Sequence, residues 1–167
     1  DVYKRQDGFD QIKDFYQVGY NFNNSVAVSG GSQNSQSYFS YGNTSSRGVM
    51  PTNTFVRHNL SGRQTFKAFN EKLTMDFSGT YTYSETKNKP GGGMLDNPLV
   101  GLYVIPRNVD YGYYRDNYEL FNAERPTVPT QNWIVEDYTS LEEHNQNPYW
   151  MLNRGIGKSI RHRFTTS

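Results

Sequence analysis

The segment 73–84 constrains the fold more than any other, because Leu73, Met75, Phe77, Gly79, Tyr81 and Tyr83 alternate strictly with Thr74, Asp76, Ser78, Thr80, Thr82 and Ser84. A repeat of two with one apolar and one polar side marks a strand, since successive side chains of extended backbone point to opposite faces. The run is long enough for the ~9–11 residues a tilted strand needs to cross a bilayer. Tyr81 and Tyr83 fall together at one end, as an interfacial girdle requires. A long strand half buried in a soluble sheet alternates in the same way. The pattern therefore predicts a strand and leaves open what meets its apolar side.

Composition narrows the choice. A formal net charge of +1 gives a polyanionic partner no purchase, so nucleic-acid binding has no electrostatic support. With 34% hydrophobic residues and a mean hydropathy of −0.86, a thick globular core is hard to build. Aromatic residues at 16% and balanced charge nevertheless argue for an ordered chain. A wide barrel needs little aliphatic material, because its strands alternate a lipid side with a wet lumen side between aromatic girdles and polar loops. A secreted, Tyr-rich β-sandwich fits the same composition. The lack of cysteine excludes a disulfide framework and a thiolate metal site. No apolar run approaches the ~18–20 residues of a membrane helix, so any spanning role falls to strands. Residues 1–6 (DVYKRQ) resemble translated adapter sequence and are set aside as a non-native scar; the N-terminus lacks the apolar stretch of a signal peptide, and truncation is expected at both ends.

Four further strands can be placed. Phe22, Asn24, Val26 and Val28 alternate with Asn23, Ser25, Ala27 and Ser29 into a turn at residues 30–34. A strand over 36–44 follows, its faces ambiguous because Tyr38, Phe39 and Tyr41 fall on both parities. Over 54–67, Arg57, Asn59, Ser61, Arg63 and Thr65 oppose Val56, Leu60, Gly62 and Phe66, with His58 and Gln64 spoiling the second face. A last strand starts near Ser159, with Ile160, His162 and Phe164 on one side and Arg161, Arg163 and Thr165 on the other.

The connections run tight, medium, tight and then very long. Outer-membrane barrels have short periplasmic turns and long extracellular loops, which puts residues 30–34 and 69–72 in the periplasm and Met50 and residues 85–157 outside. The long segment is not low in complexity. It carries KPGGG at 89–93, a Tyr-rich stretch at 111–121 and NPYWMLNR at 147–154, with short helices expected at 98–105, started by Asn97 with Pro98 at the first position, and at 111–120. The expected fold class is thus all-β: a fragment of a transmembrane antiparallel β-barrel of four strands plus part of a fifth, with one long extracellular loop able to hold short helices. Residues 7–84 supply barrel strands, 85–157 the loop, and 158–167 the start of the next strand.

The run VGYNFNNSVAVSGGSQNSQSYFSYGNTSSRGVMPTNTFVRHNLSG resembles the early barrel region of SusC/RagA-type TonB-dependent transporters of Bacteroidota. The later KNKPGGG, NPLVGLY, QNW and NPYWMLNR pieces are similar to the long first extracellular excursion of that family. Single pieces are weakly specific, but their order and spacing cover about residues 15–164. The resemblance implies an integral protein of a Gram-negative outer membrane with a plug domain, a barrel of 22 strands and a SusD-like surface lipoprotein as lid. It implies outer-membrane lipid as surroundings, TonB acting through the plug region, and an oligosaccharide or peptide as cargo. A secreted β-rich binding module, carbohydrate-binding or adhesin-like, is the alternative.

Other signals carry little. Gly155-Ile156-Gly157-Lys158-Ser159 imitates a phosphate loop, but Leu152 stands where a Walker motif needs glycine. His58, His144 and His162 lack metal-site spacing. The pairs Glu136-Asp137 and Glu142-Glu143 lack the glycine punctuation of a calcium loop and read as solvated surface. No nucleophile triad or carboxylate pair can be placed in one pocket, so no enzyme activity, cofactor, metal or catalytic residue is expected, and no substrate-binding residue is assigned. Trp133, Tyr149 and Trp150 could stack on sugar rings, or pack the loop on itself or against the lid protein, and the packing role is the better account.

Overall fold

The computed structural model describes residues 8, 10–69, 72–89, 91, 93, 97–134 and 146–167, all with side chains except Arg125. The suspected scar at 1–6, both acidic pairs and His144 lie outside the described residues. In chain order the elements are α1 (Gln11–Phe15), β1 (Tyr20–Ser32), β2 (Ser35–Arg47), β3 (Thr54–Ala68), β4 (Leu73–Lys87), α2 (Leu99–Val104), α3 (Tyr111–Asp116), β5 (Glu119–Asn122), β6 (Arg125–Gln131), α4 (Pro148–Arg154) and β7 (Lys158–Thr166). Mostly β, they divide into two compact units. A sheet unit takes Gly19–Gly48, Asn53–Lys87 and Lys158–Ser167, and a loop unit takes Val49–Thr52, Asn88–Gly157 and the N-terminal part up to Val18.

The sheet unit is one antiparallel sheet in the order β1-β2-β3-β4-β7. Every pairing is antiparallel and follows one unbroken register, so a residue's face can be read from its partners. The β1–β2 turn is tighter than residues 30–34 suggested, because pairing continues to Ser32↔Ser35 and leaves only residues 33–34 to turn. Gly31 makes this possible. It has φ +157°, and a Cβ there would lie 2.1 Å from the Ser35 carbonyl oxygen.

The loop unit has a small core of its own. Phe15, Met50, Leu102, Ile105, Tyr111 and Leu152 are buried together, and Tyr16, Leu99, Val109, Tyr114, Trp133, Ile134 and Tyr149 pack around them. The helix expected at 98–105 forms over Leu99–Val104, with Asn97 Oδ1 accepting from the Leu99 N–H at 3.0 Å. The helix expected over 111–120 is shorter. It starts under an Asp110 cap and ends at Asp116, because Glu119–Asn122 is drawn into a hairpin with Arg125–Gln131. Cross-strand pairing there overrides local helix preference. Pro126 and Pro129 sit in β6, whose two-stranded sheet leaves an edge that needs no ladder donor.

Buried asparagines do much of what a regular ladder does elsewhere. Asn147, 0% exposed, caps α4 by accepting from Tyr149 N–H at 2.8 Å and donates to the carbonyls of Asn132 at 2.7 Å and Tyr114 at 3.0 Å. Asn132 donates to the Asn117 carbonyl at 2.7 Å. Asn88, with φ +48°, donates to Thr52 Oγ1 at 2.6 Å and the Leu152 carbonyl at 2.8 Å, and accepts from Gly157 N–H at 3.1 Å. A buried amide satisfied at both ends repays its desolvation, whereas a half-satisfied one does not.

Candidate functional site

The register sorts the sheet unit into two faces of opposite character. One row across all five strands reads Val26–Tyr41–Leu60–Tyr81–Phe164, and the row beside it Val28–Phe39–Gly62–Gly79–Thr166. Phe22, Val56, Phe66, Leu73, Met75, Phe77 and Ile160 stand on this same face. The ambiguity of β2 is thereby resolved, with Phe39 and Tyr41 on the apolar face and Tyr38 on the other. Burial does not follow. Phe22 is 61% exposed, Val28 66% and Phe164 74%. Scattered exposed apolar side chains are ordinary, but a contiguous face of them marks a surface that meets something other than water.

A polar row crosses that face next to its apolar centre: Asn24–Asn43–His58–Tyr83–His162. Tyr41 Oη and His58 Nδ1 are 2.7 Å apart, and Tyr81 Oη and His162 Nδ1 2.8 Å. The His58 ring stacks on Tyr41 and tilts against Tyr83, which meets His162 edge-on. His58, which interrupted the sequence pattern of β3, is therefore a regular member of a Tyr–His–Asn belt. Gln64, the other interruption, donates to Ser35 Oγ at 3.1 Å.

The second face is hydroxyl-rich. Asn21, Ser25, Ser29, Ser40, Thr44, Asn59, Ser61, Ser78, Thr80, Thr82 and Thr165 stand on it with Arg57, Arg63, Arg161 and Arg163. Short bonds link neighbours, Thr82 Oγ1 to Asn59 Oδ1 at 2.7 Å and Ser46 Oγ to Asn21 Oδ1 at 2.7 Å, while Arg63 Nε meets Asp76 Oδ1 at 2.9 Å. A shallow concavity of about 800 Å³ opens there between Ser29, Gln36, Tyr38, Ser61, Arg63 and Thr80. Such a surface suits water and polar solutes.

The loop unit holds the aromatic residues the sequence offered for sugar stacking, and it separates them. Trp133 packs edge-on to Tyr114 with ring centres 5.4 Å apart, and Tyr149 lies 5.7 Å from both Phe15 and Tyr111. Both belong to the packing of the core. Trp150 alone lines an open concavity of about 620 Å³, with Lys89, Pro98, Gln146 and Arg154. The Arg154 guanidinium lies 5.8 Å from the Trp150 ring centre and is paired with Glu119.

Burial pushes the Tyr111 hydroxyl far above its ordinary range, with the Tyr149 phenol adding to the effect. Tyr149 influences that oxygen electrostatically without meeting hydrogen-bond geometry, and the Tyr111 hydroxyl has no hydrogen-bond partner among the described residues. The Tyr149 hydroxyl is also raised by burial. On the surface, Arg115 bonds to Asp116 and holds its carboxyl below the usual range. The phosphate-loop imitation lies where Gly155 ends α4 and Lys158 opens β7, so a strand follows it. Among the described residues no three His, Asp or Glu side chains gather into a metal site, and no helix is long and apolar enough to cross a membrane. A comparison with protein-family models finds no match, and a comparison with curated proteins finds none either.

Proposed function

We propose that this chain is part of the wall and outer vestibule of a transmembrane β-barrel transporter in a Gram-negative outer membrane, of the SusC/RagA type. The intact protein would import an oligosaccharide, peptide or nutrient of similar size, driven by TonB through a plug region and covered by a SusD-like lipoprotein. The observation that carries this reading is the exposed apolar face shared by five consecutive strands, opposite a face of hydroxyls and arginines. In a barrel wall the first meets acyl chains and the second a watery lumen.

Dimensions agree. From Phe22 to Ser32 the apolar face spans about 33 Å at ~3.3 Å per residue, or about 25 Å in height once a strand tilt near 40° is allowed, the height of a barrel's lipid band. The Tyr–His belt lies one row inside the loop-end limit of this span, on the side where an aromatic girdle would stand. β1 and β7 each have an edge unpaired among the described residues, and in a barrel neighbouring strands cover such edges. In this reading residues 88–157 belong to the long extracellular loop that the sequence predicts.

The test uses the full polypeptide in outer membranes. Phe39→Arg, at the centre of the apolar face, is expected to cost about 2–4 kcal/mol and to block assembly, read as loss of heat-modifiable barrel on gels. Ser40→Arg, one residue along on the opposite face, is expected to assemble. Equal tolerance of both substitutions, or recovery of the wild type from the soluble fraction, would point instead to a secreted β-rich module.

A further inference from the structure

The apolar face is not symmetric along its strands. At the end carrying the two short turns, the face is finished by Ser32, Ser35, Phe66, Ala68, Leu73 and Met75, none charged. At the other end, from which residues 48–53 and 88–157 depart, its last row reads Tyr20–Arg47–Thr54–Lys87–Lys158 across all five strands. Three of five positions are cationic. Glu85, in the next row, takes Lys158 at 3.0 Å. This concentration is local, because the whole chain carries only +1.

An exposed apolar surface ending in cations at one rim, with a tyrosine in the same row, matches the acyl-to-phosphate boundary of an anionic lipid leaflet. Lysine and arginine bury their stems along apolar surface and hold their charge at the headgroups. We propose that the row Tyr20–Arg47–Thr54–Lys87–Lys158 is a docking strip for phosphate groups of anionic lipids in the leaflet at the loop end. The inference rests on the barrel reading and adds to it a lipid preference, a leaflet and the residues responsible.

Geometry permits it. Arg47 and Lys158 are three strands apart, roughly 14 Å at about 4.8 Å per strand. A tilt near 40° turns that into a rise of about 9 Å along the membrane normal. The headgroup layer is roughly 5–7 Å deep on each side, and flexible stems cover the remainder.

The experiment purifies the full polypeptide in mild detergent, adds phosphatidylglycerol or phosphatidylcholine, and counts bound lipid by native mass spectrometry. The wild type is expected to prefer phosphatidylglycerol. Lys87→Gln with Lys158→Gln is expected to lower its occupancy about five-fold for each cation removed. Arg161→Gln with Arg163→Gln, the same charge change on the hydroxyl face, should leave it unaltered. Should the lysine pair fail to assemble, Lys158→Gln alone carries the comparison. A heat-modifiable membrane protein without preference for phosphatidylglycerol, or one that loses it equally in both double variants, overturns the lipid strip and leaves the barrel standing. Recovery of the wild type from the soluble fraction overturns both.

Discussion

The sheet unit and the loop unit solve the same problem with opposite means. In the sheet unit the backbone between the two edge strands is spent on a ladder of unbroken register, and many large apolar side chains are left exposed. In the loop unit the elements among the described residues are short, four helices of 5–7 residues and a small hairpin, and order comes from a buried cluster and from side-chain amides that reach backbone carbonyls. The difference shows where each unit takes its stability. The sheet's backbone is satisfied internally except along its two edges, whereas its apolar side chains need surroundings supplied from outside. The loop unit buries a cluster of its apolar side chains while others, such as Phe121 and Val128, stay exposed, and its backbone draws on asparagines.

Truncating one leucine in each unit gives the sharpest break between the two. Leu102→Ala, at 0% exposure, should cost about 3–5 kcal/mol, as for other fully buried leucines. Hydrogen exchange over Leu99–Val104 should then approach that of an open chain. Leu60→Ala, 40% exposed on the sheet, should cost less than about 1 kcal/mol in detergent. Equal costs would mean that the sheet's apolar face is packed against protein after all, and the contrast would fall.

Asn147 tests the other half of the comparison. Asn147→Ala removes one helix cap and leaves the carbonyls of Tyr114 and Asn132 without their donor, for a loss of about 3 kcal/mol. Asn147→Asp keeps the capping oxygen but loses both donations, so it should recover little. If aspartate restored the stability seen in a thermal melt, the cap alone would matter and the amide network would not.

These two residues also show what could be read from sequence. The strands were legible because alternation is local: residues 73–84 carry their whole pattern within one element, and β4 forms over Leu73–Lys87. The polar belt was not, since His58 and His162 come together only through Tyr83, with pairings set by long-range register. β2 illustrates the same limit, its parity having no meaning until its partners are known. In the loop unit Asn97 and Pro98 signalled α2 to within one residue, Pro98 being its N-cap and not its first position, whereas β5 and β6 depend on each other and carry no alternation. The role of Asn147 was hidden because an asparagine before proline reads as a turn, and nothing local says that its amide meets two distant carbonyls. Trp150 separates from Trp133 and Tyr149 only by burial, which one-dimensional reading cannot supply.

Neighbouring glycines in β1 sharpen the account of register. Gly31→Ala would place a methyl group 2.1 Å from the Ser35 carbonyl in a backbone conformation side chains rarely adopt, so about 2 kcal/mol or more should be lost and the hairpin should slip. Gly30→Ala meets nothing within 4 Å and should fall within about 0.5 kcal/mol of the wild type. Chemical labelling of cysteines placed at positions 26 and 27 would report a slip, because a one-residue shift exchanges the two faces.

The smallest effect concerns the Tyr111 hydroxyl, the one buried side-chain polar atom without a hydrogen-bond partner among the described residues. Tyr111→Phe removes a desolvated group that forms no bond, so at neutral pH it should be neutral or stabilising by up to about 1 kcal/mol. The sign with pH follows from burial, which raises the folded-state value above the ordinary one near 10. Below that pH the hydroxyl is protonated in both states and the unit keeps its full stability. As pH rises past 10, the unfolded chain ionises while the folded one does not, so stability drains away over the interval above 10. Chemical melts of wild type and Tyr111→Phe between pH 8 and 11 should therefore diverge, with the wild type losing more at the alkaline end. Parallel curves would mean that Tyr111 ionises as readily inside as outside, and that the loop unit's core is open to water there.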